Sequence, residues 1–190
     1  MHPQIQLRLL LLLPLLAAAS CVVRPGTLPL DTAGRPVHAH GAGVLVEGDT
    51  VFLIGTSQKE AVPAVSGDPE AGLAYLSRAI NLYSASKAAG GLCNWVFLGA
   101  VLNRSAVQSA MRPRLQLGAT ARVERPKLAR AASGEYVIWA HVQDSANSSY
   151  SNVAVARSKA VTGPYTWVAN FFANGLISKD STVRSRQNAS

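Results

Sequence analysis

Apolar residues past position 40 come in short runs broken by turn chemistry. In "HAHGAGVLVEGDTVFLIGTS" (38 to 57), Val44-Leu45-Val46 and Val51-Phe52-Leu53-Ile54 flank Glu47-Gly48-Asp49. β-Branched and aromatic side chains on either side of a Gly-Asp pair make a β-hairpin the favoured local structure, since such side chains fit a pleated surface. His38 and His40 then stand just before a strand that enters the core. Further strands are predicted in "INLYSAS" (80 to 86) and "CNWVFLGAVL" (93 to 102), joined by a Lys87-Ala-Ala-Gly-Gly stretch.

The second half repeats this order. "ERPKLARAASGEYVIWAHV" (124 to 142) reads as strand, Ser-Gly turn, strand, and "NVAVARS" (152 to 158) with "GPYTWVANFF" (163 to 172) as two more strands around a polar turn. Gly134 follows Gly48 by 86 positions, and the copies differ chiefly by an inserted loop at 57 to 79. The end of that loop, "PEAGLAYLSRAI", suggests a helical turn or two. Repeated units of four antiparallel strands are the sequence sign of β-propeller blades, which cannot bury both faces without neighbours. The competing reading is one β-sandwich of eight short strands. The expectation is therefore an all-β chain, an incomplete propeller with blade one at about 38 to 102, blade two at about 124 to 172, and the start of a third at about 176 to 190.

"MHPQIQLRLLLLLPLLAAASC" places Arg8 before an apolar run ending in small residues, the pattern of a secretory signal peptide over residues 1 to 20. The run is short for a membrane span and Pro14 interrupts it, so a retained anchor is the weaker reading. "LAAASC" also has features of a bacterial lipoprotein cleavage site. The mature chain is expected to start near Cys21 to Arg24 and to be secreted. The roughly 170 residues beyond the leader suffice for one core and are short for two independent domains. Cys21 and Cys93 are the chain's two cysteines, too few for a disulfide framework, and they can pair if cleavage leaves Cys21 in place. Asn-x-Ser triplets at Asn103, Asn147 and Asn188 suit an exported chain, with Asn103 and Asn147 the expected glycosylation sites.

The formal net charge of +8 raises nucleic acid or an acidic polymer as a partner. Arg112, Arg114, Arg122, Arg125, Lys127 and Arg130 crowd one region, but no aromatic rings interleave with them for base stacking. A solvated basic surface is the better reading, and no nucleic acid is expected.

In a propeller the innermost strand of each blade runs beside the central axis, so the residues leading into those strands gather at one mouth of the channel. "HAHG", "ERPK" and "SKDS" (178 to 181) hold that place, which brings His38, His40, Glu124, Arg125 and Asp180 towards one another. Bland readings stand beside this one. Glu124 with Arg125 also reads as an ion pair or a turn charge, and Asp180 as a solvated carboxylate. The two histidines alternate on an extended strand and so face one side, but a metal site needs a third ligand, for which His2 and His141 are poor candidates; no metal or cofactor is expected. Trp95, Trp139 and Trp167 lie within strand patterns and read as core before sugar platforms.

"PVHAHGAGVL", "GTSQ", "INLYSAS", "NWVFLGAVL", "VERPK", "GEYVIWAHV", "VAVARSKAVTGPYTWV" and "SKDSTV", in this order, resemble the galactan 1,3-beta-galactosidase branch of glycoside hydrolase family 43 over residues 28 to 183. The resemblance implies a five-bladed propeller and a secreted, exo-acting, inverting enzyme that removes galactose from β-1,3-galactan or arabinogalactan-type polysaccharide. Inversion needs one carboxylic acid to protonate the leaving oxygen and a base opposite it to activate water. By the resemblance Glu124 is a substrate-contacting carboxylate and Asp180 the aspartate that positions the acid and tunes its pKa. His38, His40, Arg125 and Tyr83 become substrate-binding residues. The family's general acid and base lie on later blades and have no counterpart among these 190 residues, so the chain by itself is expected to be inactive. The first blade carries "VFLIG" where the family has aromatic residues. The alternative is a secreted carbohydrate-binding module without catalysis, and in either case exposed blade surfaces favour self-association.

Overall fold

The computed structural model describes residues 25–58, 77–87, 91–103, 121–144 and 151–173. The described residues are all-β apart from a short 3-10 turn at Gly91–Cys93. The first sheet holds β1 (His40–Glu47), β2 (Thr50–Gln58), β3 (Ser77–Ser86) and β4 (Val96–Asn103), in that order and antiparallel throughout. β5 (Ala121–Arg130), β6 (Tyr136–Asp144), β7 (Ser151–Ser158) and β8 (Thr166–Phe171) form the second sheet in the same way.

Turn chemistry closes both leading hairpins. Glu47 pairs with Thr50 around Gly48-Asp49, and Gly48 takes φ 54, a left-handed value that costs a glycine little. Gly134 takes φ 84 in the turn between β5 and β6. One expectation is corrected: Ser77 to Ile80, assigned to a helical turn, open β3 and pair with β2. The helical leaning of "LSRA" yields to a register in which Ile80 and Leu82 are buried. The rest of the proposed helical turn lies outside the described residues.

The sheets meet along one apolar seam, with Leu45, Ile54, Ile80 and Leu82 on one side and Val123, Leu128, Ile138, Ala140 and Val142 on the other. Contact between them is densest from β1 to β5, less from β2 and least from β3. The strands β1 and β5 come close because glycines line the approach. A Cβ on Gly43 would stand 2.7 Å from the Pro126 carbonyl oxygen, and one on Gly41 would stand 2.9 Å from the Arg125 Cα. Lys127 ties the seam by donating from Nζ to the carbonyls of Gly41 at 3.0 Å and Ala42 at 2.9 Å. At the turn end, Tyr136 donates to Glu47 at 2.8 Å.

On its other face the first sheet carries Val51, Tyr83, Ala85 and Trp95, covered by a strap of residues 28 to 39 that inserts Val37. Asp31 holds the strap's turn, accepting from the backbone of Ala33 and Arg35 and from the Arg35 side chain. Those hydrogen bonds, the Arg35 backbone bond first, hold the Asp31 carboxyl below its ordinary value of 3.8 against the opposing effect of burial. Val44 and Val46 share this outer face and remain exposed. Alternation along the strand makes this unavoidable once Leu45 turns towards the second sheet. Cys93 is disulfide-bonded.

Candidate functional site

β1 and β5 carry the same irregularity at the same place. The register of β1 on β2 shifts between His40 and Gly43, and that of β5 on β6 between Glu124 and Lys127. Within each bulge one residue is left-handed: Gly41 at φ 63 and Arg125 at φ 52. Bulges bend a strand and re-aim the neighbouring side chains. They set His40 and Glu124 at equivalent positions on adjacent strands, so the residue matched to Glu124 by the backbone is His40.

His38 and His40 line one shallow groove of about 380 Å³ with Val37, Leu53 and Thr56. His38 also lines a second hollow of about 210 Å³ beside Asp31, Arg35, Asn81, Tyr83 and Phe97. In that second hollow the polar groups serve the strap. The Tyr83 hydroxyl accepts from His38 N at 3.0 Å, Asn81 donates to His38 O at 3.2 Å, and the Arg35 guanidinium lies 5.3 Å from the Phe97 ring centre. Tyr83 is buried at 3% exposure, on the face of the first sheet turned away from the second. Its ring thus faces away from the seam with β5, the strand of Glu124 and Arg125, with which it is expected to share a substrate-binding set, and lies beside His38. Asp180 and Asn147 lie outside the described residues. Asn103 is the last residue of β4.

Glu124 has a partner that sequence reasoning passed over. It pairs across the bulge with His141 on β6, whose Nδ1 stands 3.7 Å from the Glu124 carboxylate. The His141 Nε2 is 2.7 Å from the Ser151 hydroxyl. His141 is 2% exposed and Ser151 fully buried, while the Glu124 side chain keeps 19% exposure. A carboxylate, an imidazole and a hydroxyl thus run in line from solvent into the sheet. Counting outward from the Ser133-Gly134 turn and allowing for one bulge pairs Glu124 with His141, but the bulge itself has no sequence mark. Among the described residues no group of three His, Cys, Asp or Glu side chains is placed to hold a metal. Trp95 is buried under the strap, Trp167 packs against the seam, and Trp139 meets Phe171 edge-on at 6.3 Å.

No protein-family model matches the chain, and no curated protein matches it. Solved structures do. An exo-β-1,3-galactanase from Clostridium thermocellum is 30% identical over 77% of this chain and 26% of its own, with a TM-score of 0.58. The exo-β-1,3-galactanase of Phanerochaete chrysosporium, solved with β-1,3-galactotriose, is 28% identical over 86% of this chain and 33% of its own, with a TM-score of 0.66. A glycoside hydrolase family 43 β-1,3-galactosidase is 24% identical over 83% of this chain and 29% of its own, at a TM-score of 0.64, a likeness of fold. The chain is similar in structure to the exo-β-1,3-galactanases of glycoside hydrolase family 43 and spans about a quarter to a third of the length of these structures.

Proposed function

We propose that the chain is part of a secreted glycoside hydrolase of the inverting, exo-acting type whose substrate is β-1,3-galactan or arabinogalactan-type polysaccharide. The observation that carries the reading is Glu124, a partly exposed carboxylate set beside His141 at a strand bulge, in a chain similar to an exo-β-1,3-galactanase solved with β-1,3-galactotriose and with galactose. The two sheets are proposed to be adjacent propeller blades. Supporting this, their closest approach lies along the leading strands β1 and β5, as expected of strands beside a common axis. Asp180 keeps its proposed role as the aspartate that tunes the acid, and His38, His40 and Arg125 their proposed contacts with substrate. Export rests on the leader of residues 1 to 20. Self-association rests on the exposed Val44, Val46, Phe171 and Phe172.

In this reading the 190 residues bind the sugar without turning it over. A general acid typically contributes a factor of about 100 to 10,000, and by the resemblance neither it nor the base is among these residues. The test is release of galactose from β-1,3-galactan alongside binding of β-1,3-galactobiose, for the wild-type chain and Glu124→Gln. Binding that the variant loses, without release, supports the proposal. Turnover that disappears in the variant would show that the acid is present. Binding without turnover also distinguishes the second reading, a carbohydrate-binding module, only when the chain is assayed within a longer natural product that is itself inactive.

A further inference from the structure

We propose that His141 is a positioning residue for Glu124: it directs an Nδ1 proton at the carboxylate, with Ser151 fixing the ring from the other side. The proposal rests on Glu124 contacting sugar, and it concerns how that carboxylate is held.

The ring sits where it has no choice of partners on its inner side. Its Nε2 is 2.7 Å from the Ser151 hydroxyl, within hydrogen-bond range, and both residues are shut off from solvent. Its Nδ1 is buried with no hydrogen-bond partner, and the nearby Glu124 oxygen at 3.7 Å is just too far for one. An unpaired buried ring nitrogen is costly, so the arrangement favours a movement of less than about 1 Å that closes the gap. An ionised carboxylate can only accept, which requires the proton on Nδ1. In a neutral ring Nε2 must then accept, and the Ser151 hydroxyl donates to it. When a sugar hydroxyl engages one oxygen of Glu124, the Nδ1 proton is placed to hold the other.

The order carboxylate, imidazole, hydroxyl is also that of a hydrolytic triad, but here the hydroxyl lies at the buried end. Ser151 is 0% exposed, so no substrate carbon reaches its oxygen, and the chain of groups works outward towards Glu124. Among the described residues the first sheet shows a different contact at the equivalent place. Across its bulge His40 pairs with Thr56, whose hydroxyl donates to the His40 carbonyl at 3.1 Å. That contact fixes the His40 backbone rather than its ring.

Two measurements test the proposal on the full chain. Nitrogen-15 NMR of histidine-labelled protein, with His2, His38 and His40 assigned through their own Gln variants, should find a proton on Nδ1 of His141; a ring protonated on Nε2 alone overturns the proposal whether or not sugar binds. Titration with β-1,3-galactobiose then compares His141→Asn, which keeps an N–H near the Nδ1 position, with His141→Gln, which moves it to the Nε2 position. His141→Gln should bind about 10- to 100-fold more weakly, the range of one hydrogen bond to a charged group, and His141→Asn within about threefold of wild type. Equal weakening in both, at matched unfolding midpoints, would mean that the ring is only structural. Failure of the wild-type chain to bind the sugar would sink the galactan reading and leave the NMR result to decide the role of His141.

Discussion

Gly43 is where the contact between the sheets is most easily broken by one methyl group. A Cβ there would meet the Pro126 carbonyl oxygen at 2.7 Å, the Lys127 Cα at 3.0 Å and the Lys127 Cδ at 3.1 Å. Two of the three are backbone atoms of β5, so they cannot rotate away, and Gly43→Ala must push β1 and β5 apart. Overpacking of this kind costs about 1–3 kcal/mol. The upper part of that range applies, since separation also lengthens the Lys127 bonds to the Gly41 and Ala42 carbonyls. A loss of about 2–3 kcal/mol corresponds to a midpoint lowered by roughly 5–10 °C for a chain of this size. Urea unfolding followed by tryptophan fluorescence measures it, and Lys127→Met supplies the control. Because both changes act on one contact, the double variant should lose less than the sum of the single losses. Gly48→Ala, in open space at φ 54, should cost only the left-handed strain of about 1–2 kcal/mol and add independently to Lys127→Met. If Gly43→Ala costs under about 0.5 kcal/mol, or adds fully to Lys127→Met, the seam is not the close backbone contact described.

The strap should be acid-labile. Asp31 is held below its ordinary pKa, so its contribution is complete above that ordinary value and lost as pH falls through the lower folded value. The protection of the Ala33 and Arg35 amides from hydrogen exchange, relative to the intrinsic rate at each pH, should therefore fall at pH values below about 4. Asp31→Asn should remove this step; an unchanged step in the variant would assign it to another carboxylate. Expressed with its own start in a eukaryotic secretory system, the chain should lose about twenty residues and gain glycan mass at Asn103 or Asn147. Since Cys93 is disulfide-bonded and the chain has one other cysteine, cleavage should fall before Cys21 and leave no thiol open to alkylation. A free Cys93 in the exported product would refute that placement.

The eight strands were legible because two local signals agree in them: apolar alternation, and glycine or aspartate at the turns. What escaped were features that exist only between segments. The strap at 28 to 39 intersperses the turn formers Pro29, Asp31, Gly34 and Pro36 among its apolar residues and so carries no strand or helix pattern. Its purpose is visible only when Val37 is found against Trp95 and Tyr83. Strand alternation turns the Tyr83 ring to the opposite face from Ile80 and Leu82, where it meets the strap. His141 reads from the sequence only as a poor third metal ligand. Its tie to Glu124 depends on a bulge, and a bulge needs no special residue when an arginine occupies its left-handed position.

That arginine also explains why the two bulges differ in sequence. Both strands turn left-handed at the same point, and each would accept glycine there at the lowest cost. The seam leaves room for one side chain: a Cβ on Gly41 would lie 3.0 Å from the Arg125 Cγ and 2.9 Å from its Cα. Gly41 is thus required twice over, by its own φ and by the arginine that lies across it. Arg125 in turn accepts a backbone strain of order 1–3 kcal/mol that glycine would avoid. Strain kept at a position where glycine fits sets the gain in the side chain itself, and that side chain follows directly on Glu124. The proposed pairing of a carboxylate and a guanidinium at one sugar therefore has a structural reason in β5, and the bare Gly41 beside it is the accommodation that β1 makes.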